Sequence, residues 1–73
     1  MSRVGNIIAK RRKELKIPQG KMCEELTAMG YPIKNSAYSS WETGSSFPNA
    51  EQFLAACKIL NITNIYNEFI GRY

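Results

Sequence analysis

Residues 35–43 read NSAYSSWET, and at helical spacing the small polar members fall together. Ser36, Ser39, Ser40 and Thr43, with Asn35 at the margin, share one face. Ala37, Tyr38 and Trp41 share the other. Short hydroxyl and amide side chains can hydrogen-bond base edges, and a face without acids is not repelled by phosphate. A solvated helix face usually carries Lys and Glu, which are better helix formers than Ser, Thr and Asn. A run of weaker formers therefore asks for a reason, and entry into a DNA major groove is one. The plainer alternative is a short surface helix of indifferent composition.

Other chemistry finds little support. The chain has no histidine, no clustered acid pair and no glycine loop for phosphate, so an enzyme is not expected. Cys23 and Cys57 lack metal-ligand spacing. They read as small buried side chains, with a disulfide between them as the alternative. No metal, cofactor or small-molecule ligand is implied. The start MSRVGN has no apolar run of a signal peptide, and no apolar stretch is long enough to span a bilayer. A reducing cytoplasm is the default location.

Charge is uneven. Residues 1–21 hold seven bases and one acid, +6, whereas residues 22–73 hold three bases and five acids, −2. A basic end on a near-neutral body suits a polyanion, although a solvated helix face accounts for it as well.

The elements that must position the polar face are helices. A first spans about 3–16, with Val4, Ile7, Ile8 and Leu15 on one side, and Pro18 breaks it. A second spans about 19–29, with Met22, Cys23, Leu26 and Met29 inward, and Gly30 and Pro32 end it. The third, about 35–43, stops at Gly44, where a left-handed residue closes a helix. Asn49 and Gln52 are spaced as a capping box for a fourth, about 50–60, which turns Phe53, Ala56, Cys57 and Leu60 inward. Asn61 suits a left-handed stop. A fifth, about 64–70, carries Ile65, Phe69 and Ile70, with Thr63 or Asn64 as cap. Helices this short are marginal alone and must share one core, so the expectation is a single all-α domain of five short helices.

From residue 12 to 62 the order of residues resembles a known family. RKELKIPQ (12–19), MCEEL (22–26), YSSWETG (38–44), Pro48, Phe53, Ala56–Cys57 and LNI (60–62) are similar to the phage-repressor and Cro-type helix-turn-helix regulators, also called XRE-like. The resemblance covers most of the chain and implies a lambda-repressor-like DNA-binding domain in which helices 2 and 3 form the helix-turn-helix. It departs at Pro18, where the family has a side-chain cap, and at Arg11, where it has leucine. It departs also in about five extra residues between Cys23 and Glu42. Domains of this kind also begin longer repressors, so residues 1–73 read as one such domain or as the N-terminal part of a longer chain.

The resemblance implies a double-stranded DNA partner, a homodimer on two half-sites and a repressor function, with no membrane role. On the third helix, Ser36 and Ser40 are candidates for base edges, as is Asn35, which has helix capping as an equal alternative. Lys34, Ser39 and Thr43 are candidates for phosphate, with Ser45 and Ser46 offering hydroxyl or N–H, and Lys21 adding charge. Gln19 matches the glutamine that clamps the DNA backbone. Arg12 and Glu42 occupy the positions of an ion pair joining helix 1 to helix 3, which would explain an acid beside a DNA-facing helix. Tyr38 and Trp41 read as core anchors. Helix 5 and the terminal NEFIGRY are the candidate dimer surface, since Tyr66, Phe69, Ile70 and Tyr73 make a dense apolar end. The competing function is a helical protein-interaction module that keeps the fold without binding DNA; an apolar patch exposed on helix 4 or 5 would favour it.

Overall fold

The computed structural model describes residues 3–71. Its elements are α1 (Arg3–Glu14), α2 (Gln19–Ala28), α3 (Asn35–Thr43), α4 (Ala50–Ile59) and a fifth helix, α5 (Tyr66–Ile70). No strand occurs among the described residues. The radius of gyration, 11.3 Å, matches the roughly 11 Å expected of a folded chain of this length. The five helices are therefore one body. α1 and α2 both pack against α3, α2 packs against α4, and α1 also meets α5. Helices α2 and α3 stand in a helix-turn-helix-like arrangement.

The stops follow from local chemistry. Asn49 accepts from the Gln52 N–H at 2.8 Å and Gln52 returns a bond to the Asn49 N–H at 2.9 Å, so the capping box opens α4. Gly44 closes α3 with φ 86°, and Asn61 is left-handed after α4 with φ 56°. At the start of α5, Asn64 Oδ1 accepts from the Asn67 N–H at 3.4 Å. Two ends come earlier than the spacing suggests. Lys16 takes φ 59°, and Ile17 N–H reaches back to the Arg12 carbonyl at 3.0 Å, so α1 stops at Glu14. Leu15, expected inward, is consequently exposed, and Ile17 packs on the core in its place. Likewise Tyr31 N–H bonds the Leu26 carbonyl at 2.9 Å, ending α2 at Ala28. Met29 turns outward, while Tyr31 and Ile33 reach the core from the turn. Six residues, 29–34, thus form the turn between α2 and α3.

The core gathers Ile8, Met22, Leu26, Tyr38, Trp41 and Leu60 with the small residues Cys23, Ala55, Ala56 and Cys57. Both cysteines are buried and free. Burial pushes both thiols above their ordinary range, so they stay neutral. Tyr38 and Trp41 meet edge to face at 5.6 Å, a geometry worth about 0.5–1.5 kcal/mol beyond burial. Ala37 does not join them. It sits in the first turn of α3, where no element covers it, and is exposed. The last helix also differs from expectation: it winds in the wider π form, with Gly71 N–H reaching the Tyr66 carbonyl at 3.2 Å. This winding sets Phe69 against Phe53 at 4.7 Å. Phe69 therefore belongs to the core and is lost to any dimer surface. Tyr66 and Ile70 are exposed, and Tyr73 lies outside the described residues.

Candidate nucleic-acid interface

The end of α3 is tied to both preceding helices through one carboxylate. Arg12 Nε donates to Glu42 Oε2 at 2.6 Å, Arg12 Nη2 donates to Glu42 Oε1 at 3.1 Å, and Gln19 Nε2 donates to the same Oε1 at 3.0 Å. The third guanidinium nitrogen, Nη1, donates to the Ile17 carbonyl at 2.8 Å. The Arg12 and Glu42 side chains are only 11% and 7% exposed, so the pair is largely withdrawn from water. Two-pronged guanidinium–carboxylate contact fixes orientation as well as distance. Burial alone disfavours the ionised form of Glu42. The bonds from Arg12 and Gln19, with the nearby Tyr38 hydroxyl, outweigh it and hold the carboxyl below the usual range. That hydroxyl is buried without a hydrogen bond of good geometry. Burial first, and then the adjacent Glu42, push its pKa far above the ordinary phenol range.

Gly5 makes the same junction possible from the α1 side. A Cβ built there would lie 2.7 Å from the Glu42 carbonyl oxygen and would also strike the Trp41 carbonyl. The backbones of α1 and α3 touch at this point, which only a missing side chain allows. A glycine inside a helical pattern is the signal for such an approach.

The other bases of α1 serve the fold more than the charge pattern suggests. Arg3 Nη1 donates to the carbonyls of Phe69 at 3.2 Å and Ile70 at 2.9 Å, at the end of α5. Arg11 Nε donates to the Leu60 carbonyl at 2.9 Å, at the end of α4. Cations at helix C-termini satisfy orphan carbonyls and complement the dipole. Lys21 lies 3.4 Å from Glu25 and 3.9 Å from Glu24, so its charge is locally offset. Lys10, Lys13, Lys16 and Lys34 are exposed and have no ion pair among the described residues.

The candidate contact residues separate into two groups. Lys34, Asn35 and Ser36 stand together, exposed, at the start of α3. Lys34 is the N-cap position and no side chain caps the helix. Asn35 is already helical, so its amide is not a cap and is turned to solvent. Ala37 adds an exposed methyl beside them. The second group surrounds the α3 stop. Ser40 Oγ donates to the Ser36 carbonyl at 3.1 Å, and Thr43 Oγ1 bonds the Ser40 carbonyl at 3.3 Å and Ser45 Oγ at 3.2 Å. The Ser40 carbonyl also accepts from the N–H groups of Gly44, Ser45 and Ser46 at 3.0, 3.0 and 3.2 Å. The N–H groups of Ser45 and Ser46, expected to be open to phosphate, are therefore occupied by the helix stop. Ser40 and Thr43 have their hydroxyl hydrogens engaged locally, and Ser39 is half-buried.

At the start of α2, Pro18 provides no side-chain cap. Its carbonyl takes the N–H groups of Lys21 and Met22, and among the described residues those of Gln19 and Gly20, in the first turn, show no bond. The Gln19 side chain faces Glu42, so the start of α2 adjoins the end of α3.

No group of histidine, cysteine or acidic residues fit for a metal occurs among the described residues, and no helix there is long and apolar enough to cross a membrane. No protein-family model matches the chain, and neither a curated protein nor a solved structure does.

Proposed function

We propose that this chain is a sequence-specific double-stranded DNA-binding regulator, acting as a repressor in the cytoplasm. The start of α3 enters the major groove, and two copies occupy two half-sites about 34 Å apart. One observation carries the reading. The single acid of α3, Glu42, is drawn out of the outward face and neutralised by Arg12. That leaves Lys34, Asn35, Ser36 and Ala37 as a small, acid-free and exposed surface at the end of a braced helix. N-terminal residues of a recognition helix are the ones that reach base edges. The Asn35 amide suits adenine, Ser36 is a tolerant hydrogen-bonding contact, and the Ala37 methyl suits thymine. Lys34, with the open N–H groups at the start of α2, suits phosphate. Ser40, Thr43, Ser45 and Ser46 serve chiefly to hold the helix stop. The chain acts without cofactor or catalysis in this reading.

Salt titration of binding to duplex DNA is the test. Affinity should fall with a log–log slope of about −0.9 per phosphate contacted. Binding that is absent, or indifferent to salt, overturns the reading.

A second reading, a protein-interaction module on the same fold, is favoured by one feature. Leu54 on α4 and Phe47 before it are 55% and 64% exposed, and exposed apolar residues are what a partner protein would cover. It gains if duplex DNA does not bind.

A further inference from the structure

Leu54 stands at the centre of the outward face of α4, between Glu51 at i−3 and Lys58 at i+4. All three are exposed. Beside Leu54 a shallow groove is lined by Met29, Tyr31 and Ala55, and the Tyr31 hydroxyl donates to Glu51 Oε1 at 3.3 Å, holding that carboxylate at the rim. The face is thus an apolar centre flanked by one acid and one base, about 10 Å apart along the axis.

We propose that this face pairs with the same face of a second copy, the two α4 helices running antiparallel. A two-fold axis midway between Leu54 and Ala55 sets Glu51 of each copy opposite Lys58 of the other. It also brings the two exposed Leu54 side chains beside each other at the axis. The surface is therefore complementary to itself, as a two-fold interface must be. A parallel pairing would oppose like charges instead, so the charges select the direction. The other exposed apolar groove, between Phe47, Ala50 and Phe53, has no charged rim to choose a partner or an orientation. Because α4 packs on α2 and its outward face shares no groove with the start of α3, pairing leaves Lys34 to Ala37 uncovered. The interface supplies the pairing of copies that the DNA reading calls for, and its biological use rests on that reading.

Sedimentation equilibrium without DNA tests it, with melting curves to verify that each variant folds. The native chain should reach twice the 8.3 kDa monomer mass below about 1 mM. Leu54→Glu should be folded and monomeric. Glu51→Lys and Lys58→Glu should each weaken association about tenfold or more, and the double variant, which restores opposite charges across the axis, should recover it. A native monomer at about 1 mM, a dimer untouched by Leu54→Glu, or a double variant no better than the single ones overturns the proposal. Loss of DNA binding with dimerisation intact would instead strike the DNA reading alone.

Discussion

Arg12 and Glu42 stand 30 residues apart in the chain and meet in a two-pronged contact, 2.6 and 3.1 Å, with side chains almost closed to water. The pair joins the end of α1 to the end of α3, and Gln19 brings in the start of α2. Breaking a buried pair from one side leaves an uncompensated charge, which typically costs about 3–5 kcal/mol. Arg12→Ala or Glu42→Ala should each destabilise the fold by that order in denaturant unfolding. Replacing both by apolar residues of similar size should cost far less. A loss below about 1 kcal/mol for either single variant would mark the pair as a surface contact.

Acid should weaken the fold through the same carboxylate. The folded Glu42 carboxyl titrates below its ordinary value of 4.5. Near that value the unfolded chain binds more protons than the folded one, so stability rises with pH. Its contribution is fully present above pH 4.5 and is lost as pH falls through the folded pKa. The gap in unfolding free energy between the native chain and Glu42→Gln should therefore narrow as the pH drops. A gap that is flat across this window would contradict the assignment.

The close approach at Gly5 makes a sharper steric prediction. Gly5→Ala drives a methyl into the Trp41 and Glu42 carbonyls and should destabilise by about 1–3 kcal/mol, despite alanine's better helix propensity. Gly20→Ala, where a Cβ meets nothing within 4 Å, should be neutral or stabilising. Thermal melts of the two variants, compared with the native chain, decide it.

On the outward start of α3, Ala37→Glu should leave the melting temperature unchanged, because the residue is exposed. Like charge against phosphate should weaken duplex binding about tenfold or more. Fluorescence anisotropy with labelled duplex reads this, and unaltered affinity would place α3 outside the groove.

Lys34→Ala should lower the salt slope of duplex binding by about 0.9, one phosphate contact. Lys58→Ala, on the outward face of α4, should leave the slope of the half-site complex alone. Equal effects from the two would mean that binding is diffuse charge attraction.

Much of the fold was legible because chemistry punctuates the chain. Pro18, Gly30, Pro32, Gly44 and the Asn49–Gln52 box separate the helices, and the third helix begins and ends at the residues its spacing marks. Leu15 and Met29 misled because each sits at the seam between a periodic stripe and a helix stop. A stop made by backbone bonds, as at Lys16, leaves no residue signature. The site was less legible. Spacing groups Ser36 with Ser40, yet the Ser40 hydroxyl hydrogen returns to its own helix, and no local pattern says so. Helical angle sets Ala37 inward, but angle does not tell whether an element covers that turn. The roles of Arg3 and Arg11 are contacts across 49 to 67 residues of chain, which charge counting cannot separate from a basic patch. Glu42 was intelligible only through its resemblance to a position in a known family, because nothing near it in sequence is its partner.

In the proposed function the braced start of α3 reads a DNA sequence. Selection of bound duplexes from a random pool tests it most directly. An enriched motif of two related half-sites whose centres lie about one helical turn apart is expected, with the preference changed by substitutions at Asn35, Ser36 or Ala37. Recovery of no enriched motif, from protein shown to be folded, would contradict it.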